Sequence, residues 1–286
     1  MKYLLLLFGT MLLGTSVLSA QTKTDRASAG LIGPVRSVRV EAAKMTSSSA
    51  GQLVEGARLP VAATAYDEQG NVTEQSFFSP DGTLRQKIGW QHTYDAAGRE
   101  VETIYLNDKG LPTSKAVFTY DEQGRLTEMT LYNPNGAVNH VRRYTYDEQG
   151  NKIREIHRNQ DGTARTSMSY LYDARARLTE TNINKPDGTL INRNAYTYDE
   201  QGRESGWTNY AGDGTPRLGV KRTYDDSGNL IEILNYAHGN LSSRETLTYE
   251  LDARGNWIKC KVEREAKGAG RSQPEFEVRY RTITYF

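Results

Sequence analysis

The chain has 286 residues, a formal net charge of +1 at pH 7, and an apolar content of 37%. The near-neutral charge, without a basic stripe, argues against nucleic acid and anionic lipid as partners. The single cysteine, Cys260, excludes an internal disulfide framework.

The N-terminal segment has the pattern of an export signal. Lys2 gives a positive start, residues 4–18 are mostly apolar, and small residues precede a cleavage point after Ala20. We therefore predict residues 1–20 to be a signal peptide. The mature protein is expected in the periplasm or outside the cell, with no stable membrane insertion after cleavage.

The remaining chain divides into two parts. Residues 21–33 are polar and are predicted to be a flexible linker. Residues 34–286 are predicted to form a single repeat domain with terminal capping strands. Within it, residues 44–56 are interpreted as a loop, and residues 275–286 as a closing strand.

A tyrosine-aspartate pair recurs along this domain at a nearly fixed spacing. After a first gap of 28 residues, each step is 26 residues. The pairs begin at Tyr66, Tyr94, Tyr120, Tyr146, Tyr172, Tyr198 and Tyr224. Such a period indicates one supersecondary unit copied in series, each copy burying its apolar side on its neighbours.

Each period contains two turns. The first is Tyr-Asp-x-x-Gly, and the second falls 12 residues after that glycine, as Pro-Asp-Gly does at residues 80–82. Ala176 replaces the glycine once, so that turn should be strained or different in type. The runs between turns are rich in Thr, Tyr, Ile, Leu and Val, which is typical of strands. We predict an all-β fold, an antiparallel β-hairpin meander of about 16–18 strands, curled into a spiral or open barrel.

Alternation along the strands separates two faces. The repeat tyrosine, the residue two before it, and the third, fifth and seventh residues after the glycine should share the inner face. Val101, Ile153 and Met129 are among these residues. The other face should carry a column of glutamates, including Glu102 and Glu128, with the threonines that precede the tyrosines.

Two columns of side chains are candidate binding residues. Aromatic rings on a sheet can stack on sugar faces or grip peptides, although the same rings can simply fill a thin core. The tyrosine candidates are Tyr120, Tyr146, Tyr172, Tyr198 and Tyr224. Glu102 and Glu128 complete the candidate set; the alternatives for them are a solvated face or the paired carboxylates of a hydrolase.

No metal, cofactor or catalytic centre is predicted. The four histidines stand at different places in their repeats, and the turn aspartates lack the dense ligand run of a calcium loop. Turn geometry accounts for these aspartates. We therefore predict that the protein is not an enzyme.

The run from Tyr120 to Glu128, nearly repeated from Tyr172 to Glu180, resembles the YD-repeat, or rearrangement-hotspot (RHS), family. The likeness spans about residues 66–257. The resemblance implies β-hairpin strips, which in large toxins spiral into a shell around a cargo domain and in some cell-surface proteins form a barrel involved in adhesion. We expect a short exported member without a toxin domain.

These features favour a non-catalytic binding or scaffold protein at the cell envelope, with a glycan or a protein surface as its partner. The alternatives are a carbohydrate hydrolase with paired glutamates and a small shell or accessory protein for a partner toxin. The sequence does not decide the oligomeric state.

Overall fold

The computed structural model describes residues 24–49, 51–267 and 273–286, so the predicted signal segment lies outside the described residues. One short helix, α1, spans Asp25–Ser28. The strands are β1 Val35–Ser47, β2 Leu53–Glu55, β3 Leu59–Tyr66, β4 Val72–Phe78, β5 Leu84–Tyr94, β6 Glu100–Leu106, β7 Pro112–Tyr120, β8 Leu126–Tyr132, β9 Val138–Tyr146, β10 Lys152–Asn159, β11 Ala164–Tyr172, β12 Leu178–Asn184, β13 Leu190–Tyr198, β14 Glu204–Ala211, β15 Pro216–Tyr224, β16 Leu230–Ala237, β17 Asn240–Leu251, β18 Trp257–Ala266 and β19 Glu275–Tyr285.

The sheet is an antiparallel meander that closes on itself. Each strand from β3 to β19 pairs with its sequence neighbour, and β1 pairs with both β3 and β19. Only β2 lies outside this ring, because it pairs with the end of β1. The described strands therefore form an 18-strand barrel, which confirms the predicted hairpin meander.

Both turn types share one geometry. In the first, the amide of Gly70 donates to the carbonyl of Asp67, and the amide of Asp67 donates to the carbonyl of Asn71. Gly70 has a φ of +94°, which suits a three-residue loop that ends in a glycine bulge. The second turn repeats these bonds between Ser79, Gly82 and Thr83.

Ala176 occupies this glycine position with a φ of +57°, as the sequence predicted for a strained turn. We expect Ala176→Gly to raise the free energy of unfolding by about 1 kcal/mol, because glycine removes the left-handed strain. Chemical denaturation measures the change. Ala174→Gly is the matched control, since Ala174 lies in the same turn without a positive φ; an equal gain there would contradict the explanation.

The segment interpreted as a loop at residues 44–56 contains more regular structure than predicted. β1 continues to Ser47, and its last residues pair with β2, where Met45 lies opposite Glu55. The loop interpretation was wrong because the serine-rich tip at residues 47–49 hid a short hairpin.

A bulge beside each Tyr-Asp turn also corrects the predicted alternation. Leu126 lies opposite Tyr120, but Glu128 lies opposite Thr119, so one residue between them is extra. Val101 and Ile153 occupy the same bulge position, and Ile153 is 37% exposed. The second residue after the glycine, rather than the third, therefore faces the tyrosine.

The two faces differ in burial. We call the side with the repeat tyrosines the tyrosine face and the side with Glu102 and Glu128 the glutamate face. The threonine before five of the seven repeat tyrosines, such as Thr119 or Thr145, is exposed, whereas the tyrosines are half-buried or, at Tyr66, buried. Side chains converge on the concave side of a closed barrel, so the more covered tyrosine face is its interior.

The fully buried apolar residues concentrate near the closure. Leu31, Val35, Val38 and Tyr66 form one cluster where β1 meets β3 and β19. A second cluster follows on β17 and β18. Elsewhere the inner side chains are mostly half-buried, as expected for a barrel of this strand number, which leaves an aqueous interior.

Candidate functional site

The aspartate of each Tyr-Asp turn fixes the turn, and in four of the seven turns it also holds the arginine that follows the glycine position. In the turn that starts at Tyr94, Oδ1 of Asp95 accepts the amides of Ala97 and Arg99 at 2.9 Å. Its Oδ2 accepts the Arg99 side chain at 2.7 Å. The backbone amide of Arg99, followed by its guanidinium, holds the pKa of Asp95 below its usual value.

Each such arginine lies against the tyrosine of the next repeat. The Arg99 guanidinium is 5.0 Å from the centre of the Tyr120 ring, within cation–π range. The Tyr120 hydroxyl in turn donates to the carbonyl of Glu100 at 2.6 Å. One Tyr-Asp-x-x-Gly-Arg unit therefore joins two successive hairpins, and we call this set of contacts the YD staple.

The predicted tyrosine column takes part in these contacts, and four of its five members also lie against a staple arginine. Every hydroxyl in the column donates to the backbone of the preceding hairpin, at 2.6–2.9 Å: Tyr120, Tyr146, Tyr172, Tyr198 and Tyr224. Burial raises the pKa of Tyr120, Tyr146 and Tyr198 to about 12. The hydroxyls hold the sheet together, and a ligand-binding role for the rings stays a prediction.

Related contacts close the barrel, although the tyrosine hydroxyl there donates to an aspartate side chain rather than to a backbone carbonyl. Tyr285 on the last strand donates to Oδ2 of Asp252 at 2.6 Å and lies 4.5 Å from the Arg254 guanidinium. Asn256 follows that turn; its side chain accepts the amide of Ile32 at 2.8 Å and donates to the Ile32 carbonyl at 2.9 Å. The closing strand thus takes the position that the next repeat would occupy.

The N-terminal segment before β1 is tied to the first Tyr-Asp turn. Oδ2 of Asp25 accepts the amide of Val72 at 2.9 Å, and the amide of Arg26 donates to the carbonyl of Gly70. These contacts belong to residues for which the sequence indicated only a flexible linker. In the sequence, Asp25 and Arg26 are only a charged pair in a short polar segment, and such a pair does not indicate contacts with a distant turn.

The glutamate column lies outside the barrel and is paired with cations. Glu102 contacts Lys115 at 3.1 Å, and Glu128 contacts Arg143 at 2.8 Å on the neighbouring strand. The same pairing recurs at Glu74–Lys87, Glu180–Arg193 and Glu232–Arg244. These glutamates form a ladder of partly exposed ion pairs, and a binding role for Glu102 and Glu128 stays a prediction.

The tyrosine face holds a buried charge cluster that the sequence interpretation missed. Glu155 on β10 is 6% exposed. One of its oxygens lies 2.5 Å from His157 Nε2, and the other accepts Lys152 Nζ at 3.1 Å and the Tyr170 hydroxyl at 2.8 Å. We call these four residues the Glu155 cluster.

The cluster is arranged to keep Glu155 ionised. Burial alone would raise the pKa of Glu155, but His157, Lys152 and Tyr170 outweigh it and bring the pKa to about 2. Such a group does not serve as a general acid at neutral pH. In the sequence, Glu155 could have been noticed because it is the fifth residue after Gly150, a position where other repeats carry Met129 or Trp207.

The other ionisable groups show no catalytic tuning. In the described chain, every carboxyl group with a displaced pKa is displaced downward, opposite to the shift of a glycosidase acid. Burial raises the pKa of Cys260 to about 11, which disfavours its thiolate. Across the residues that the structure describes, no group of three or more His, Cys, Asp or Glu has the arrangement of a metal site.

These contacts define a hairpin-repeat shell. Side chains of the Tyr-Asp turns join each repeat to the next, and the last strand pairs with the first to close the sheet. The family model of the Teneurin YD-shell matches residues 41–255. The chain belongs to this family, as the predicted YD-repeat resemblance indicated. No helix of the described chain has the length and apolarity required to cross a bilayer.

Two solved structures are similar to this chain. A porin-like protein from Bacteroides uniformis is 12% identical, with 88% of this chain and 98% of that chain covered and a TM-score of 0.44. The Photorhabdus luminescens Tc holotoxin pore is 13% identical, with 79% of this chain and 17% of that chain covered and a TM-score of 0.33. Neither similarity extends to function at these scores. The curated proteins contain no match to this chain.

Proposed function

We propose that the protein is a non-catalytic scaffold of the cell envelope that binds a glycan chain along its barrel. The observation that supports this most directly is the closed sheet with a half-exposed, polar and aromatic inner face. Eighteen strands at ordinary spacing and tilt give a circumference of about 110 Å, wide enough to surround an extended chain. The export signal predicted at residues 1–20 supports a location outside the cytoplasm.

The contacts of the repeated side chains favour binding over hydrolysis. A hydrolase needs two free carboxyl groups facing one substrate, one of them with a raised pKa. Glu102 and Glu128 are instead paired with Lys115 and Arg143 on the outside of the barrel. Their regular spacing follows from the repeat, without any catalytic requirement.

Affinity electrophoresis in gels that contain soluble polysaccharides tests the proposal. We expect at least one polysaccharide to retard the protein, with no release of reducing ends after prolonged incubation. Glu102→Gln and Glu128→Gln should leave the reducing-end assay unchanged. Sugar release that disappears in either variant would establish the hydrolase alternative, and migration unaffected by every polysaccharide would contradict glycan binding.

A polypeptide partner is the second candidate, because exposed leucines recur beside the turns at the rim opposite the Tyr-Asp turns. Leu84, Leu111 and Leu218 are 55%, 57% and 45% exposed. A repeated row of exposed apolar side chains along one rim is a surface that an unfolded polypeptide can contact. In this case, immobilised protein should retain unfolded casein while no polysaccharide retards it, and a Leu84→Ser, Leu111→Ser variant should lose that retention.

A further inference from the structure

Among the described residues of the tyrosine face, two arginines, Arg142 and Arg281, have no carboxylate of their own. Arg264 contacts Glu245 at 3.2 Å, and Arg222 and Arg279 contact Glu204 and Glu277. For Arg142 on β9, the carboxylate within ion-pair distance is that of Glu155, at 4.0 Å, and it is already shared by Lys152 and His157. The Nε of Arg142 is buried without a hydrogen-bond partner.

Arg142 is nevertheless open to solvent on the inner side. Its side chain is 38% exposed, against 14% for Lys152 and 7% for Glu155. An arginine that is paired for structural reasons is normally held by a nearby carboxylate or covered by a ring. Arg281 on the same face illustrates this, because it lies 3.7 Å from the centre of the Trp257 ring.

The surroundings of Arg142 carry surplus positive charge. Glu155 supplies one negative charge for Lys152 and Arg142 together, and two histidines stand on the same face. Burial, followed by the charges of Arg142, His157 and Arg165, lowers the pKa of His140. The field at this place therefore favours an anion.

Aromatic rings border the same place. Tyr144 on β9 lies opposite Glu155 on β10, and the half-buried Tyr105 lies on the same face. Burial, followed by the charge of Glu100, raises the pKa of Tyr105, and the charge of Arg142 opposes that shift, so it reaches the ring. A guanidinium beside tyrosine rings suits a ligand that combines a carboxylate with an apolar sugar face.

We propose that Arg142 and the adjoining Glu155 cluster form an anion-binding site in the barrel, which holds the carboxylate of a uronate sugar in an acidic glycan. The proposal rests on the proposed function and specifies its substrate class. The guanidinium binds the carboxylate by paired hydrogen bonds, as arginine does in planar recognition. Lys152 adds charge nearby, while Glu155 keeps Lys152 and His157 in place.

The neighbouring arginine provides a matched control. Arg143 follows Arg142 in β9, but it lies on the glutamate face, where it contacts Glu128 at 2.8 Å. Arg142→Gln and Arg143→Gln therefore remove the same charge from opposite faces of one strand. Titration calorimetry with oligogalacturonate measures binding to each, and urea denaturation confirms that each variant is folded.

We expect Arg142→Gln to weaken oligogalacturonate binding about tenfold or more and Arg143→Gln to change it less than twofold. Arg142→Lys should recover only part of the affinity, since lysine lacks the planar pair of donors. Equal weakening by both glutamine variants would overturn the site. Equally tight binding of polyglutamate would overturn the sugar assignment, and binding confined to uncharged oligosaccharides would overturn this site while the proposed function stood.

Discussion

Replacing Glu155 with glutamine is expected to lower the free energy of unfolding by about 3 kcal/mol at pH 7, because it leaves buried cations without a counter-charge. Lys152 is 14% exposed, and it has no other carboxylate within ion-pair distance. Glutamine keeps the shape of the side chain and can still accept the Tyr170 hydroxyl. The loss therefore reports charge rather than packing, and urea denaturation measures it.

The difference between wild type and Glu155→Gln should shrink in acid. The pKa of Glu155 is about 2 in the folded protein, below its ordinary value of 4.5. A lowered pKa means that the stabilisation is complete above the unfolded value and is lost as the pH falls through the folded value. We expect most of the difference at pH 5 and almost none near pH 2.

Glu128→Gln is the matched control on the outer face. Its partner, Arg143, is 60% exposed, and exposed pairs of this kind contribute between zero and about 1 kcal/mol. A second test removes both charges: Lys152→Met with Glu155→Gln should cost less than Glu155→Gln alone. Equal losses in the two glutamine variants, or a double variant as unstable as the single one, would contradict a buried cluster held by charge.

The repeat was predictable because local chemistry determines it. A Tyr-Asp pair followed by glycine specifies the turn through side-chain caps and a positive φ, so strand positions and antiparallel order follow from spacing alone. Ala176 confirms this, since it takes the glycine conformation where the repeat requires it. The positions of the threonines and glutamates on the outer face could also be predicted from the alternation along each strand. The bulge affects only the residues that precede the glutamate.

Closure and the inner charge cluster were not predictable in the same way. Whether strands curl into a spiral or a closed barrel depends on the pairing of β1 with β19, residues more than two hundred positions apart. Arg142 and Arg143 look equivalent in sequence, yet they lie on opposite faces. Glu155 stands out only as a carboxylate at an inner position, and its partners come from β10 and β11, which the turn pattern does not describe.

Asn256→Ala is expected to lower the free energy of unfolding by about 3 kcal/mol, because this one buried side chain makes three hydrogen bonds across the closure. Asn256 is 3% exposed. It accepts the amide of Ile32, donates to the Ile32 carbonyl, and donates to the Tyr285 hydroxyl at 2.9 Å. Alanine would leave both backbone groups of Ile32 without these partners.

Asn229 is the matched control, since it follows its turn glycine as Asn256 does but contacts only its own turn, with Nδ2 donating to Asp225 at 2.9 Å. Asn229→Ala should cost about 1 kcal/mol, the value of one such bond.

Hydrogen exchange should separate the two effects further: Asn256→Ala should speed exchange of the amides that join β1 to β19, while Asn229→Ala leaves them protected. Because closure turns a strip with two exposed edges into a barrel with none, loss of this one side chain should also raise the tendency to aggregate. Equal stability losses with unchanged β1 exchange would mean that strand pairing alone holds the barrel closed.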